Sequence, residues 1–142
     1  MSDEYRGPIP VPTPETLPYW QAARRHELTL PYCTACETFF FYPRAVCPTC
    51  LSDAIDWRRV SGRGRLLTFT VVHRGPRDFP LPAPYVLAMV ELDEGPRLMT
   101  NLVGVEPDPE QLAIGLALEV TFVDVNDEIG LPHFRPVAEA GR

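Results

Sequence analysis

Hydrophobic and polar residues alternate along most of the chain after residue 54. Such alternation is typical of strands that bury one face, because successive side chains of a strand point to opposite sides of the sheet. A different pattern interrupts it at 107–115, where Asp108 can cap a short helix, Pro109 suits its first position and Gly115 can close the following turn. The alternation predicts strands over residues 55–60, 63–74, 84–93, 96–105, 118–123 and 131–137.

The order of these elements predicts a barrel. The three longer strands, the short helix and the last two strands follow one another as in the oligomer-binding (OB) fold, a small β-barrel. Ligands of OB-folds usually contact the second and third strands and two loops. One loop joins strands one and two, and the other joins strands four and five. In this chain those loops are residues 75–84 and 125–130.

The first 27 residues lack the alternating pattern of the later strands. Residues 1–18 contain five of the 17 prolines and lack apolar periodicity, which predicts an extended arm. Residues 16–27 read TLPYWQAARRHE and predict a short amphipathic helix with Thr16 as its N-cap. We expect Tyr19 and Trp20 to anchor this helix on the body of the same chain, with a partner contact as the alternative. The expected apolar face consists of Leu17, Trp20, Ala22 and Ala23.

All four cysteines fall into two C-x-x-C pairs, flanked by strand-like segments at 28–31 and 38–43. Each pair places two thiolates on one tight knuckle, and in a reducing compartment such pairs indicate a metal rather than disulfides. Four thiolates form a closed tetrahedral site, which zinc prefers in structural roles and which rubredoxin-type iron also accepts. We predict one structural metal ion, zinc before iron, held by Cys33, Cys36, Cys47 and Cys50.

The segment between the two pairs carries a run of aromatic residues, Phe39 to Tyr42. These side chains cannot all face one way on a strand. We therefore expect some to cover the metal knuckles and others to face a neighbouring element or a partner.

Together these patterns predict a mainly β chain in which a short N-terminal helix and a zinc ribbon precede a five-stranded OB-fold barrel. The expected division is an extended arm at 1–18, the helix and ribbon at 19–57, the barrel at 58–137 and a tail at 138–142.

The formal net charge of −6 argues against general affinity for nucleic acid, which depends on a basic surface. The charge is uneven, since residues 44–77 hold seven arginines against two acidic residues. No apolar run is long enough to span a bilayer, and the first residues lack the basic and apolar regions of a signal peptide, so we expect a cytoplasmic protein without a membrane partner.

Several segments resemble the DUF35 family, in which a rubredoxin-like zinc ribbon is combined with an OB-fold. The resemblance runs from about Tyr19 to about Val137. It implies an accessory subunit of acyl-CoA metabolism that associates with thiolase-like enzymes, including aldolases of steroid side-chain breakdown, and in some systems with MaoC-like enoyl-CoA hydratases. This chain shows no fused hydratase domain, so a hydratase would be a separate chain. The segments that carry the resemblance are YWQAARRHEL, LPYCTACETFFFYPRAVCPTC, GRGRLLTFTVVHR, PYVLAMVELDEGPRLMTNLVG and LAIGLALEVTF.

The loop at 75–84 offers cations for phosphate and a ring for adenine, so Arg74, Arg77 and Phe79 are candidate CoA contacts. The alternative is that the arginines are solvated and that Phe79 anchors the loop. No catalytic pair is visible, because His26, His73 and His133 lie on separate elements without a linking motif. Among them His73 is the first to test as a base.

The leading hypothesis is a non-catalytic scaffold subunit that binds a thiolase or a thiolase-like aldolase and helps to hold or channel acyl-CoA at a shared site. The alternative is a module that binds single-stranded nucleic acid, a common role of zinc ribbons and OB-folds. A third possibility, an independent CoA-transforming enzyme, predicts turnover by the isolated chain, which we do not expect.

Overall fold

The computed structural model describes residues 9–75, 77 and 81–137. It contains one α-helix, eight strands and one 3-10 helix among these residues. Their bounds are α1 Leu17–Arg24, β1 Thr29–Cys33, β2 Thr38–Phe39, β3 Ile55–Arg59, β4 Arg63–Val72, β5 Tyr85–Leu92, β6 Arg97–Leu102, the 3-10 helix Pro109–Gln111, β7 Ala117–Asp124 and β8 Gly130–Pro136.

The last five strands form a closed barrel in the order β4-β5-β6-β8-β7. All neighbours are antiparallel except β6 and β8, which pair in parallel. This is the predicted OB-fold, and the alternating pattern explains it, because every second residue of β5 is buried. The barrel interior includes Leu66, Val86, Val90, Leu118 and Phe134, each at most 1% exposed.

The short helix expected at 107–115 is a single 3-10 turn. Asp108 caps it as predicted, since its Oδ1 accepts a hydrogen bond from the Glu110 N–H at 3.0 Å. Gly115 follows with a φ of +93°, which fits the turn that it was expected to close.

The helix α1 is shorter than predicted, and its buried face is the expected one except at Leu17. Trp20, Ala22 and Ala23 are buried as predicted. Leu17, expected in the apolar face, is 39% exposed, whereas Tyr19 is 4% exposed. Thr16 does not cap the helix with its side chain, because Thr16 Oγ1 accepts a hydrogen bond from the Thr13 N–H instead. The helix ends before His26, whose φ is +63° and whose N–H donates to the Ala23 carbonyl, an arrangement typical of helix C-termini.

Tyr19 and Trp20 anchor α1 on the chain itself, as expected. Both belong to the same hydrophobic core as the barrel interior. The helix lies close to β8, where a Cβ on Gly130 would come within 2.5 Å of the Ala23 carbonyl oxygen. Glycine is therefore required at the start of β8 for the helix to approach the barrel.

A second sheet has the order β2-β1-β3. The prediction of an aromatic strand over residues 38–43 is wrong beyond Phe39, where β2 ends. Phe40 donates its N–H to the Pro31 carbonyl, but proline has no N–H to return, so the ladder between β1 and β2 ends there. Among the described residues no helix has the length and apolar character needed to cross a membrane.

Candidate metal centre and barrel face

The two C-x-x-C pairs form knuckles of the same construction. The residue after each pair is left-handed without being glycine, with a φ of +60° for Glu37 and +65° for Leu51. In each knuckle the N–H of that residue donates to the carbonyl of the first cysteine, at 2.7 Å from Glu37 to Cys33 and 2.9 Å from Leu51 to Cys47. The shared geometry directs both cysteines of each pair to the same side of the turn.

The four sulfur atoms lie within 4.8 Å of one another. Cys33 Sγ is 3.5 Å from Cys50 Sγ, and Cys36 Sγ is 3.6 Å from Cys47 Sγ. A tetrahedral centre with metal–sulfur bonds of about 2.3 Å has sulfur atoms about 3.8 Å apart. The cluster therefore fits a single ion bound by four thiolates.

Backbone N–H groups approach three of the four sulfurs. The Cys50 and Thr49 N–H groups lower the pKa of the Cys47 thiol to about 6. At Cys50 the Ser52 N–H acts in the same direction, but contacts with the other three sulfurs outweigh it and raise the pKa of the Cys50 thiol to about 12. The Cys36 N–H donates to Cys33 Sγ at 3.5 Å. Thiolates are the form that binds metals, so without a cation the cluster favours the thiolate at Cys47 and keeps the proton at Cys50.

The aromatic run divides as the sequence suggested. Phe40 is buried and packs with Cys33 and Cys47. Phe39 and Phe41 pack instead against the main core, and Tyr42 is 46% exposed. One ring therefore covers the knuckles and two join the ribbon to the barrel.

On the outer face of the barrel, cross-strand rows run over β4, β5 and β6. The first row is ionic, because Glu91 pairs with Arg65 on one side, at 3.2 Å, and with Arg97 on the other, at 3.7 Å. The next rows are Thr68, Met89 and Met99, then Thr70, Leu87 and Asn101.

These two rows contribute to a shallow groove of about 300 Å³ with a largely apolar lining. Met99 is 65% exposed at this surface. In OB-folds this is the face on which ligands usually bind. The lining residues are Thr68, Phe69, Thr70, Leu87, Ala88, Met89 and Met99.

The candidate CoA contacts lie beyond the end of β4. Arg74 and Arg77 are exposed, as is His73, and Phe79 lies outside the described residues. Arg74 and Arg77 thus follow β4 at the loop end of the barrel face. That they contact CoA together with Phe79 remains a prediction.

Three of the seven arginines of the basic segment 44–77 have acidic partners among the described residues. Arg58 pairs with Asp56, Arg59 with Glu27 and Arg65 with Glu91. The arginine surplus of this segment is therefore partly neutralised in the fold, which weakens it as a surface for phosphates.

One contact between distant residues was not predicted from the sequence. His26 Nε2 lies 2.9 Å from Asp124 Oδ1, and the imidazole stacks on Phe122 with a centroid distance of 5.4 Å. Within the described part of the chain no hydroxyl or thiol is hydrogen-bonded to the His26 ring, so the pair lacks the nucleophile of a catalytic triad. His133 is buried under the fold, which lowers its pKa by desolvation.

A wider hollow of about 520 Å³ lies between the loop after β6 and the end of β8. Its lining includes one carboxylate, Glu106, and neither histidine nor cysteine. It holds none of the residues singled out from the sequence.

The fold and the cluster define a rubredoxin-like ribbon joined to an OB-fold barrel. Two family models match the chain, "ChsH2, rubredoxin-like zinc ribbon domain" over residues 20–56 and "ChsH2, C-terminal OB-fold domain" over residues 57–123. A DUF35 domain-containing scaffold protein of Methanocaldococcus jannaschii is 36% identical over 97 residues, which cover 68% of this chain and 67% of the relative. The chain belongs to the DUF35 family.

A second relative is longer. The probable enoyl-CoA hydratase alpha subunit of Thermomonospora curvata is 37% identical over 118 residues, or 83% of this chain. The chain spans only 36% of the length of that relative.

Among solved structures, the "Ltp2-ChsH2(DUF35) aldolase" is similar with a TM-score of 0.79 and 34% identity, over 90% of this chain and 98% of the matched one.

Proposed function

We propose that this chain is a non-catalytic accessory subunit that binds a thiolase-like enzyme, either a thiolase or an aldolase of the steroid side-chain type, and helps to hold or channel its acyl-CoA substrate. The observation that carries the proposal is the outer face of β4, β5 and β6, an apolar groove bounded at one end by the ionic row of Arg65, Glu91 and Arg97. The names of the similar proteins, a scaffold, a hydratase subunit and an aldolase complex, are consistent with a partner role.

Within that role we assign Cys33, Cys36, Cys47 and Cys50 to one structural zinc ion. Their sulfur spacing and four-thiolate chemistry support the assignment, although iron accepts the same donors. A metal bound by four protein ligands has no open position for substrate. Its contribution is to join the two knuckles, and such ions supply on the order of 10 kcal/mol or more to small modules.

The proposed division of the chain is an arm at 1–18, the helix and ribbon at 19–57, the barrel at 58–137 and a tail at 138–142. The boundary between the two family matches, after residue 56, supports the central division.

For the substrate we propose that the acyl group lies over the methionine row of the groove and that the CoA phosphates lie towards Arg74 and Arg77, with Phe79 against the adenine. Along β5 the rows from Glu91 to Tyr85 extend over about 20 Å, which suits an extended ligand better than a compact one. An aliphatic floor and terminal cations match the two ends of an acyl-CoA. A MaoC-like hydratase is a further candidate partner, since one relative is named as a hydratase subunit.

Affinity capture of the tagged chain from its native cells, with mass spectrometry of the partners and elemental analysis, tests the proposal. We expect a thiolase-like enzyme and one zinc ion per chain. Recovery of salt-sensitive nucleic acid without such an enzyme would instead favour the single-stranded nucleic-acid-binding role.

A further inference from the structure

The ionic row lies immediately beside the apolar groove on the outer face of the barrel. It consists of Arg65 on β4, Glu91 on β5 and Arg97 on β6. Successive outward residues of β5 and β6 are about 7 Å apart, so the charged row is one step from the apolar floor. The next outward residues of the three strands line the groove itself, and they are Thr68, Met89 and Met99.

The row holds more positive than negative charge. Two guanidinium groups share the single carboxylate of Glu91, whose Oε1 accepts hydrogen bonds from Arg65 Nε and Nη2 at 3.3 and 3.2 Å. Arg97 Nε lies 3.7 Å from Glu91 Oε2, which is beyond hydrogen-bond distance. Within the ranges that the structure describes, the Arg97 guanidinium donates to no other acceptor. Its N–H donors are therefore available to a ligand.

The excess positive charge faces solvent. The side chains of Arg65 and Arg97 are 67% and 61% exposed, whereas that of Glu91 is 25% exposed. A ligand that lies on this face therefore meets the guanidinium groups before it meets the carboxylate. An exposed ion pair contributes little to stability, so folding alone gives no strong reason for the second arginine.

We propose that the ionic row binds a carboxylate at the far end of the acyl group, so that the preferred substrates are CoA thioesters of dicarboxylic acids. The acyl chain lies over the methionine row, and its free carboxylate is bound by Arg65 and Arg97. The inference rests on the proposed function, which places the acyl group in this groove and the CoA phosphates towards Arg74 and Arg77. It adds the chemical class of the acyl group.

The chemistry of the row favours an anion over a methyl group. An aliphatic end placed on the exposed guanidinium groups would displace their water without supplying acceptors, which is unfavourable. A carboxylate can accept two parallel hydrogen bonds from one guanidinium, and it neutralises the excess charge. From Leu87 to Glu91 the face extends about 13 Å along β5, so an extended acyl chain of about ten carbons spans this distance.

Isothermal titration calorimetry of the full, metal-loaded chain with two ligands tests the inference. The first is decanedioyl-CoA, whose acyl chain ends in a carboxylate, and the second is decanoyl-CoA, whose chain of the same length ends in a methyl group. We expect the wild type to bind decanedioyl-CoA about tenfold more tightly, as for one charge-assisted contact. Because both ligands carry the same CoA, the ratio of the two Kd values isolates the far end of the acyl chain.

Variants locate the contact. Arg65→Gln combined with Arg97→Gln should remove the preference, because only decanedioyl-CoA loses a contact. Arg135→Gln is the matched control and should keep the preference, since Arg135 is an exposed arginine that pairs with Glu119 on another part of the barrel. Glu91→Gln removes the competing carboxylate and should increase the preference for decanedioyl-CoA. It also provides an independent test if the double variant does not fold.

Three results would overturn the inference. Equal Kd values of the wild type for the two ligands would remove the carboxylate contact and leave the proposed acyl-CoA role intact. Equal weakening of both ligands by the double variant would show that the row holds the CoA phosphates instead. Binding of neither ligand to the wild type would remove the inference together with the proposed CoA role.

Discussion

His26 and Asp124 are 98 positions apart in the chain, yet His26 Nε2 lies 2.9 Å from Asp124 Oδ1. The contact joins the end of α1 to the end of β7, and Arg24 reinforces it at 3.5 Å from Asp124 Oδ2. All three side chains are substantially exposed, at 54%, 44% and 37%. The arrangement is a surface clamp between the helix and the barrel.

Removing the clamp should have a modest effect on stability. We expect Asp124→Asn to lower the free energy of unfolding by about 0.5–1 kcal/mol, because exposed ion pairs are screened by water. Urea denaturation measures the change. The control is Asp127→Asn, because Asp127 is an exposed residue of the next loop that forms no ion pair within the ranges the structure describes. An equal loss in both variants would show that the Asp124 contacts do not contribute.

The buried His133 predicts a dependence of stability on pH. Burial lowers its pKa in the folded chain, so the unfolded chain binds a proton first as the pH falls below about 6.5. Stability is therefore full above that pH and decreases as the solution is acidified. Urea unfolding at pH 7.5 and 5.5 should show a smaller loss for His133→Gln than for the wild type, while the exposed His73→Gln should behave as the wild type does. Identical losses for wild type and His133→Gln would exclude His133 as the source.

Loss of one thiolate should release the metal. We expect Cys47→Ser to lose the ion and unfold at least the ribbon, because three remaining ligands do not restore the closed site. Elemental analysis and circular dichroism check this. Thr49→Ala is the matched control, since Thr49 contacts Cys47 Sγ through its backbone N–H, which the substitution retains. Full metal content and partner binding in Cys47→Ser would contradict the assignment.

The CoA contacts can be tested in the complex with the partner enzyme. Replacing Arg74 and Arg77 together by alanine should raise the Kd for acyl-CoA by about tenfold or more, because each guanidinium can form charge-assisted bonds to phosphate. Isothermal titration calorimetry gives the Kd. Arg135→Ala removes an exposed arginine that instead pairs with Glu119 on another part of the barrel. If both changes have the same small effect, the proposed contacts are wrong.

The barrel could be predicted from the sequence because hydrophobic and polar residues alternate along its strands. The four-cysteine cluster could be predicted because the spacing of the cysteines limits its geometry. The aromatic strand was overextended, since its end depends on the missing N–H of Pro31 on the neighbouring strand. Helical spacing placed Trp20, Ala22 and Ala23 correctly in the buried face and failed only at Leu17, the first residue of α1.

Two further features depend on conformation or distance that the sequence does not display. Glu37 and Leu51 adopt positive φ values without the glycine that would have signalled them. The pairing of His26 with Asp124 joins residues 98 positions apart, which depends on the packing of α1 against the barrel. Residue type identified the four-cysteine cluster, but not the surfaces around it.

The central claim is that this chain assists an acyl-CoA enzyme without performing chemistry itself. The most direct measurement compares acyl-CoA turnover by the isolated chain, by the purified thiolase-like partner and by the two together. We predict no turnover by the chain alone and a lower KM for the acyl-CoA when it joins its partner. Turnover by the isolated chain that His73→Ala abolishes would contradict the account.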